Sequence, residues 1–305
     1  MNKENRITPF EAYKARLGTW EITTLKREEV LSKGIQKQAI DLTDKWINVF
    51  PKESTWIQQN YGIPSLLVRF DGIDDNGILR TYEIEDRPAG IGHTNLINPD
   101  FKQRLSKLRE TWPEFDVAIS PLRDPADDKL WCNVVDKNSA TGLVFVRAEP
   151  EEMQFRELQS RSVSTIATEG DKSYGVALGL WKFIDSPTQF PRRRSFVLKA
   201  LQSSKGRNMA FYDVRSRPGP GNVKMKNAEK LLIEQVATKG GMYIQELIPP
   251  MQSGIDLYPF MIYRFFLGYD FKQKEWVPLG GTYFARNNLK IHGASDSVSG
   301  PLVIE

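Results

Sequence analysis

Two neighbouring stretches decide how this chain folds: Ser65-Leu-Leu-Val-Arg-Phe-Asp-Gly-Ile73 and Ile78-Leu-Arg-Thr-Tyr-Glu-Ile-Glu85. Both are rich in β-branched, aromatic and other apolar residues, which favours strands. Asp75-Asn76-Gly77 stands between them, and glycine in such a turn readily adopts the left-handed backbone conformation. The two stretches are therefore predicted to pair as a β-hairpin.

The length of the turn decides which side chains share a face of this hairpin. A three-residue loop pairs Asp74 with Ile78 and gathers five polar side chains on one face: Arg69, Asp71, Thr81, Glu83 and Glu85. A two-residue loop would move Asp71 to the face opposite the glutamates, because side chains alternate along a strand.

The acidic members of this face predict a metal site. Asp71, Glu83 and Glu85 would repel one another across the strands unless something neutralises them. Mg²⁺ takes carboxylate oxygens and shares its remaining positions with phosphates. The alternative is a solvated strand face whose charges are balanced by nearby arginines, namely Arg69, Arg80 and Arg87.

The composition limits which side chains could form a disulfide or bind a metal ion. The chain has 305 residues, 40% hydrophobic and 26% charged, which is ordinary for a globular protein of about two domains. Its only cysteine, Cys132, excludes an internal disulfide and a cysteine zinc site, and we expect it to be a core residue. The two histidines, His93 and His292, are far apart. A metal would therefore sit on carboxylates, which favour magnesium or manganese.

Charge and hydropathy exclude other classes. The net charge of +4 is too small to predict a nucleic-acid binder. Residues 1–6 are polar and lead into no apolar signal core. The most apolar stretch, residues 258–269, contains Arg264 and is too short to span a membrane. We expect a cytoplasmic protein that contacts no membrane.

The remaining pattern predicts a mixture of helices and strands. Predicted helices are one capped by Thr8 and others over residues 25–50, 99–111, 151–160, 171–184 and 227–238. Predicted strands, besides the hairpin, are residues 115–120, 141–147, 195–199, 242–249, 255–269 and 276–285. A basic, glycine- and proline-containing region over residues 192–226 is either a lid or a partner-binding surface.

Two further stretches carry candidate chemistry. Phe196-Val-Leu-Lys199 is an apolar strand that ends in lysine and precedes Ser203-Ser204-Lys205-Gly206. Such a strand can place an ammonium and backbone N–H groups around phosphates, although the P-loop spacing is absent. Glu246 ends the apolar stretch from Met242 and precedes Leu247-Ile248. Its carboxylate could hold an adenine amine or ribose hydroxyls, or it is an ordinary edge-strand glutamate.

Together these motifs resemble the ATP-grasp superfamily of carboxylate–amine ligases, over residues 64–92 and 165–300. The resemblance implies that Lys172, after Asp171, and Lys199 bind ATP phosphates together with the loop containing Ser203, Ser204, Lys205 and Gly206. It implies that Glu246, Leu247 and Ile248 contact adenine. Arg286, or Arg264, would stabilise charge on the transferred phosphoryl group.

The order of these motifs resembles a circularly permuted member, as in the glutathionylspermidine synthetase group. The acidic hairpin usually follows the nucleotide-binding strands in this superfamily, whereas here it precedes them. The implied fold is α+β, with two α/β subdomains whose antiparallel sheets sandwich ATP. We expect three segments: residues 1–95 with the metal-binding hairpin, residues 96–165 on the substrate side, and residues 166–305 as the nucleotide-binding half. Where the family has an asparagine after its metal-binding glutamate, this chain has Glu85.

The resemblance implies an ATP- and Mg²⁺-dependent ligase (Mn²⁺ being the alternative metal) that makes an amide through an acyl phosphate. Its partners would be a small-molecule or peptide carboxylate and an amine, and homo-oligomerisation is left open. One alternative is a non-catalytic nucleotide-binding or interaction protein. Another is a nucleotidyltransferase of the polynucleotide-ligase type, but Arg69 stands where its Lys-x-Asp-Gly core needs a nucleophilic lysine, and an arginine stays protonated.

Overall fold

A computed structural model of the chain describes residues 12–17, 20–49, 52–120, 124–147, 153–165, 173–191, 193–201, 209–215, 223–289 and 296–305. Within them the strands are β1 (Ala12–Leu17), β2 (Trp20–Leu25), β3 (Glu29–Leu31), β4 (Leu67–Asp75), β5 (Ile78–Glu85), β6 (Phe115–Ile119), β7 (Val134–Asp136), β8 (Leu143–Arg147), β9 (Lys182–Ile184), β10 (Phe196–Ala200), β11 (Met209–Tyr212), β12 (Met242–Glu246), β13 (Met251–Gln252), β14 (Phe260–Asp270), β15 (Glu275–Arg286) and β16 (Val298–Ile304). The α-helices are α1 (Lys33–Ile47), α2 (Trp56–Tyr61), α3 (Ile91–Ile97), α4 (Pro99–Arg109), α5 (Tyr174–Ala177) and α6 (Met225–Lys239).

The described strands form three sheets. The large sheet has nine strands in the order β1-β2-β16-β15-β14-β4-β5, with β13 beside β14 and β3 beside β16. A four-stranded antiparallel sheet has the order β11-β10-β12-β9, and a three-stranded parallel sheet the order β7-β6-β8. The expected α+β class is therefore confirmed in its coarse form. The large sheet draws strands from both ends of the described chain.

The main core lies on the large sheet. Phe70 of β4 stacks on Phe265 of β14, with ring centroids 5.3 Å apart, and Phe101 of α4 packs against Phe266 with centroids 5.2 Å apart. Full burial of such a side chain stabilises the fold by about 1.5–3 kcal/mol. Asp71 follows Phe70 on β4, and Arg264 precedes Phe265 on β14. Because side chains alternate along a strand, Asp71 and Arg264 point to the face opposite the two phenylalanines.

The predicted helix over residues 25–50 is wrong in its first part. Residues up to Leu25 form β2, Glu29–Leu31 is β3, and the helix begins only at Lys33. Ser32 caps it, because its hydroxyl accepts a hydrogen bond from the Ile35 amide. The apolar spacing of residues 25–31 suits two short strands as well as a helix. The helix predicted after Thr8 is also wrong in its described part, because residues Ala12–Leu17 form strand β1.

The predicted helix over residues 171–184 is also largely wrong. Its described part contains only the single turn α5, and residues Lys182–Ile184 form β9. Residues Met153–Arg161 form a 3-10 helix in place of the predicted α-helix. The other predicted helices and strands are present with shifted ends. The elements that were missed are α2, α3, β1, β7, β11, β13 and β16.

Candidate functional site

The turn of the acidic hairpin has two residues. Asp75 pairs with Ile78, and Asn76 and Gly77 between them have φ angles of 54° and 84°. Left-handed conformations at both positions are typical of a type I′ turn, which asparagine followed by glycine favours. The expected three-residue loop, with Asp74 opposite Ile78, is therefore wrong.

A β-bulge nevertheless returns the acidic residues to one face. Gly72 pairs with Thr81, the next pair is Asp71 with Glu83, and Tyr82 is the extra residue. Beyond it Arg69 lies opposite Glu85. A Cβ atom on Gly72 would lie 2.5 Å from the Arg80 carbonyl oxygen, so glycine is needed at the bulge. The predicted shared face is confirmed for Asp71, Glu83 and Glu85, but through the bulge.

Two arginines occupy the carboxylate oxygens on this face. Arg264 lies opposite Asp71 on the adjacent strand β14. Its Nε is 2.9 Å from Asp71 Oδ1 and its Nη2 is 2.8 Å from Oδ2, a bidentate pair. Arg69 Nη2 lies 3.2 Å from Asp71 Oδ2 and 2.5 Å from Glu85 Oε1. Arg69 and Asp71 are both buried.

The pKa values of the carboxyl groups follow from this arrangement. Burial alone would raise the pKa of Asp71, but the guanidinium groups of Arg264 and Arg69 outweigh it and lower the pKa to about 2. Burial raises the pKa of Glu85 to about 7; Arg69 opposes this rise, while the charges on Glu83 and Asp71 add to it. Asp71 is thus an anion bound by two arginines, whereas the Glu85 carboxylate takes up a proton more readily.

The hydrogen bonds from Arg264 and Arg69 bear directly on the predicted metal site. Within the described residues, no group of three or more histidine, cysteine, aspartate and glutamate side chains is arranged to hold a metal ion. Both oxygens of Asp71 already accept hydrogen bonds from Arg264 and Arg69. As they stand, Asp71, Glu83 and Glu85 therefore do not fit a magnesium ion, although the donor types are suitable.

Lys199 joins the four-stranded sheet to the acidic hairpin. Its side chain is 5% exposed, and its Nζ donates a 2.5 Å hydrogen bond to the carbonyl oxygen of Tyr82, the bulged residue next to Glu83. The ammonium also lies 4.2 Å from the ring centroid of Trp181. The structure therefore brings the predicted phosphate-binding lysine next to the predicted metal-binding strand.

Strand β12 reaches the same bulge. Gln245 Nε2 donates to the Thr81 carbonyl at 2.9 Å, and the Tyr82 hydroxyl donates to the Ile248 carbonyl at 3.1 Å. Sequence reasoning missed Gln245. Lys199 is paired with Tyr243 of β12, so these two side chains share a face of the sheet. Gln245 lies two residues after Tyr243, and strand alternation puts its side chain on that same face. A glutamine within a largely apolar predicted strand was the available signal.

The structure describes some of the other predicted nucleotide-binding residues, and the rest lie outside the described ranges. Glu246 is exposed, and Leu247 is buried, with its amide donating to the Ser195 carbonyl. The segment containing Ile248 contacts Tyr82 as described above. Lys172, Ser203, Ser204, Lys205 and Gly206 lie outside the described residues, as does His292.

Arg286 lies apart from Asp71 in its described contacts. It is opposite Phe260, at the end of β15, and its Nη2 is 2.6 Å from Asp296 Oδ2. Arg264, four residues along the neighbouring strand from Phe260, is the arginine that reaches the hairpin. The structure thus places Arg264, and not Arg286, in the carboxylate cluster.

Buried groups hold the end of β5 and the segment that follows it. The Tyr174 hydroxyl accepts from the Ile84 amide at 3.1 Å and donates to its carbonyl at 2.6 Å. Arg147, at the end of β8, donates to the carbonyls of Arg87 and Pro88 and pairs with Asp128. Sequence reasoning missed these contacts, because residues far apart in the chain make them.

His93 and Cys132 have ordinary structural surroundings. His93 is 1% exposed and stacks on Phe284; burial, with a smaller contribution from Arg264, lowers its pKa to about 3. The Cys132 thiol contacts the Phe115 carbonyl, and burial raises its pKa to about 11. A thiol that stays protonated is a poor nucleophile. No helix in the described residues is long and apolar enough to cross a membrane.

Comparison with known proteins gives distant similarity only. No family model and no curated protein sequence matches this chain. A solved structure of a glutathione synthetase-like effector from Globodera pallida, in its apo form, is 12% identical, with a TM-score of 0.44 over 93% of this chain and 91% of that one. A protein provisionally named γ-glutamylcysteine synthetase from Methylobacillus flagellatus KT is 10% identical, with a TM-score of 0.42 over 84% of this chain and 81% of that one.

Proposed function

We propose that the protein is an ATP-dependent ligase that joins a carboxylate to an amine through an acyl phosphate. The observation that carries the proposal is the contact between Lys199 and the Tyr82 carbonyl, which joins the four-stranded sheet to the acidic strand β5. The two motifs that resemble the phosphate-binding strand and the acidic hairpin of ATP-grasp enzymes thus meet in space, although more than a hundred residues separate them.

The proposed reaction needs a cationic surface for the triphosphate. Lys199 supplies one ammonium, and Lys172 with the loop containing Ser203, Ser204, Lys205 and Gly206 is proposed to supply the others. Glu246, Leu247 and Ile248 are proposed to contact the adenine and ribose. The γ-phosphoryl group passes to the acceptor carboxylate, and the amine then displaces phosphate, giving ADP, phosphate and an amide.

An arginine beside the transferred group would stabilise the charge that develops on it. Arg264 is the better placed of the two candidates, because its guanidinium already lies in the acidic cluster beside Asp71. Arg286 pairs with Asp296 in the described structure. Mg²⁺ or Mn²⁺ on Asp71, Glu83 and Glu85 stays a prediction, and binding of such an ion would require Arg264 and Arg69 to release the oxygens of Asp71. The ion would then neutralise phosphate oxygens.

Two substitutions test the site directly. We expect Lys199→Met to abolish ATP turnover because it removes the proposed phosphate-binding ammonium, and Glu83→Gln to abolish it because it removes a carboxylate of the predicted metal site. In both variants the circular-dichroism spectrum should stay that of the wild type. Lys182→Met and Glu275→Gln are matched controls, since both residues are exposed strand residues and should leave turnover unchanged. Full turnover in both Lys199→Met and Glu83→Gln would exclude the assigned site.

A second candidate is a nucleotide-binding protein without catalysis. The observation that favours it is the occupation of Asp71 by Arg264 and Arg69, which neutralises the hairpin without a metal. This candidate predicts that ATP binds with equal affinity with and without Mg²⁺ and is not consumed. Titration calorimetry in EDTA and in Mg²⁺, followed by nucleotide analysis, separates the two functions.

A further inference from the structure

The indole ring of Trp181 lies against the Lys199 ammonium. The Nζ atom is 4.2 Å from the ring centroid, well inside the distance of about 6 Å at which a ring face attracts a cation. Trp181 is 3% exposed and Lys199 is 5% exposed. Because the pair is shielded from water, this attraction is stronger than it would be at the surface.

A ring face suits a lysine that has to bind phosphate. Burial of an ammonium is costly, and it requires compensating contacts. A carboxylate would provide one but would also cancel the positive charge, whereas the ring stabilises the cation and leaves its charge in place. The hydrogen bond to the Tyr82 carbonyl acts in the same way, since a carbonyl is neutral. The ring face and the carbonyl thus hold Lys199 at β5 without themselves cancelling its charge.

The local fold is built around the position of this ring. A Cβ atom on Gly175 would lie 1.9 Å from Cε2 of Trp181, so only glycine leaves room for the indole. Tyr174 packs edge-on against Trp181, with centroids 5.4 Å apart, and the ring of Tyr243 lies 6.4 Å from it, centroid to centroid. The Tyr174 hydroxyl is hydrogen-bonded to Ile84 of β5. The ring is therefore fixed relative to the acidic strand.

We propose that Trp181 is the positioning residue of Lys199: its ring holds the ammonium beside the acidic strand β5, where the proposed function places the phosphates of the nucleotide. The proposal rests on the proposed nucleotide function, but the contact between the two side chains can be tested without nucleotide. Gly175 acts in the same unit through the space it leaves for the ring.

The first readout is the reactivity of the Lys199 amine. The protein is treated with limiting N-hydroxysuccinimide acetate, and acetylation of Lys199 is followed by peptide mass spectrometry. We expect the rate to rise from wild type to Trp181→Phe to Trp181→Leu, because a phenyl face holds the protonated amine less well than indole and leucine has no ring face. Trp276→Phe is the control, because Trp276 is a similarly buried tryptophan (5% exposed) of the large sheet.

The second readout compares ATP with adenosine by titration calorimetry. Lys199 is proposed to contact phosphates, so Trp181→Leu should weaken ATP binding about 2- to 30-fold and leave adenosine binding unchanged. A general disturbance of the fold would weaken both ligands together. Gly175→Ala should act in the same direction, because the added methyl displaces the ring. If Trp181→Leu does not fold, Trp181→Phe and Gly175→Ala carry the comparison.

The outcomes separate the two proposals. Equal acetylation of Lys199 in the wild type and the Trp181 variants would overturn the role of Trp181, and so would a parallel loss of ATP and adenosine affinity. A wild-type protein that binds neither ligand would overturn the nucleotide function. In that case the order of the acetylation rates still decides whether Trp181 holds Lys199.

Discussion

At the scale of single residues, Gly72 determines which acidic side chains share a face. The bulge that it permits places Asp71 opposite Glu83, although the two-residue turn alone would have separated them. The sequence did contain the signal, a glycine inside a strand, which often marks a bulge. Its effect on register could not be predicted, because the turn length and the bulge compensate for each other.

Replacement of Gly72 should therefore destabilise the protein. In Gly72→Ala the new methyl would lie 2.5 Å from the Arg80 carbonyl oxygen, so strand β5 must shift. We expect a loss of about 1–3 kcal/mol in the free energy of unfolding, measured by urea denaturation. Gly142→Ala is the control, because nothing lies within 4 Å of a Cβ atom there. Equal stability of the two variants would contradict the account of the bulge.

His93 makes stability depend on pH. In the unfolded chain its imidazole is protonated below its ordinary pKa of 6.5, whereas burial keeps it neutral in the folded protein down to about pH 3. The unfolded state therefore binds one more proton in this range, and stability falls as the pH decreases from 6.5 toward 3.

The expected size of this effect is about 1.4 kcal/mol per pH unit below pH 6. Urea denaturation of the wild type and of His93→Gln between pH 7.5 and 4.5 measures it. Because glutamine does not titrate, we expect a shallower decline in the variant. Parallel curves for the two proteins would show that His93 is protonated in the folded state as readily as in the unfolded chain.

At the scale of elements, the Arg264–Asp71 pair joins strands β14 and β4. The two residues are 193 positions apart in the chain, and they meet only because the sheet places these strands side by side. Sequence patterns predicted both strands, but they gave no information on strand order. That is why the arginine expected at a phosphoryl group was found on an aspartate expected to bind metal.

Loss of one partner of the Arg264–Asp71 pair should strongly lower the free energy of unfolding. Arg264→Gln leaves the buried Asp71 carboxylate with Arg69 as its remaining arginine partner. Removal of one member of a buried ion pair typically costs about 3–5 kcal/mol in unfolding free energy. Arg80→Gln is the matched control, because it breaks an exposed pair with Asp75 on the same hairpin and should cost less than about 1 kcal/mol. Similar costs in the two variants would show that the Arg264 pair is not effectively buried.

At the scale of the whole molecule, the site depends on contact between two sheets. Clear apolar patterns and turn residues allowed several elements to be predicted in outline. These are the hairpin, the strands β10, β12, β14 and β15, and the helices α4 and α6. The strands β1 to β3 were not, because they are short or carry spacing compatible with a helix. Strand β16 was missed because it contains Gly300 and Pro301, which are unfavourable inside a strand. The docking of Lys199, Gln245 and Ile248 on Thr81 and Tyr82 is a long-range packing result that no local pattern specifies.

The most direct test of the ligase proposal is the fate of ATP. Wild-type protein and Mg²⁺ are incubated with ATP and a panel of carboxylates and amines, the carboxylates carrying ¹⁸O, and the nucleotides and phosphate are analysed by mass spectrometry. The proposal predicts ADP and phosphate only when both a carboxylate and an amine are present, with one ¹⁸O atom transferred to the phosphate. Formation of AMP and pyrophosphate, or binding of ATP without any turnover across the panel, would contradict it.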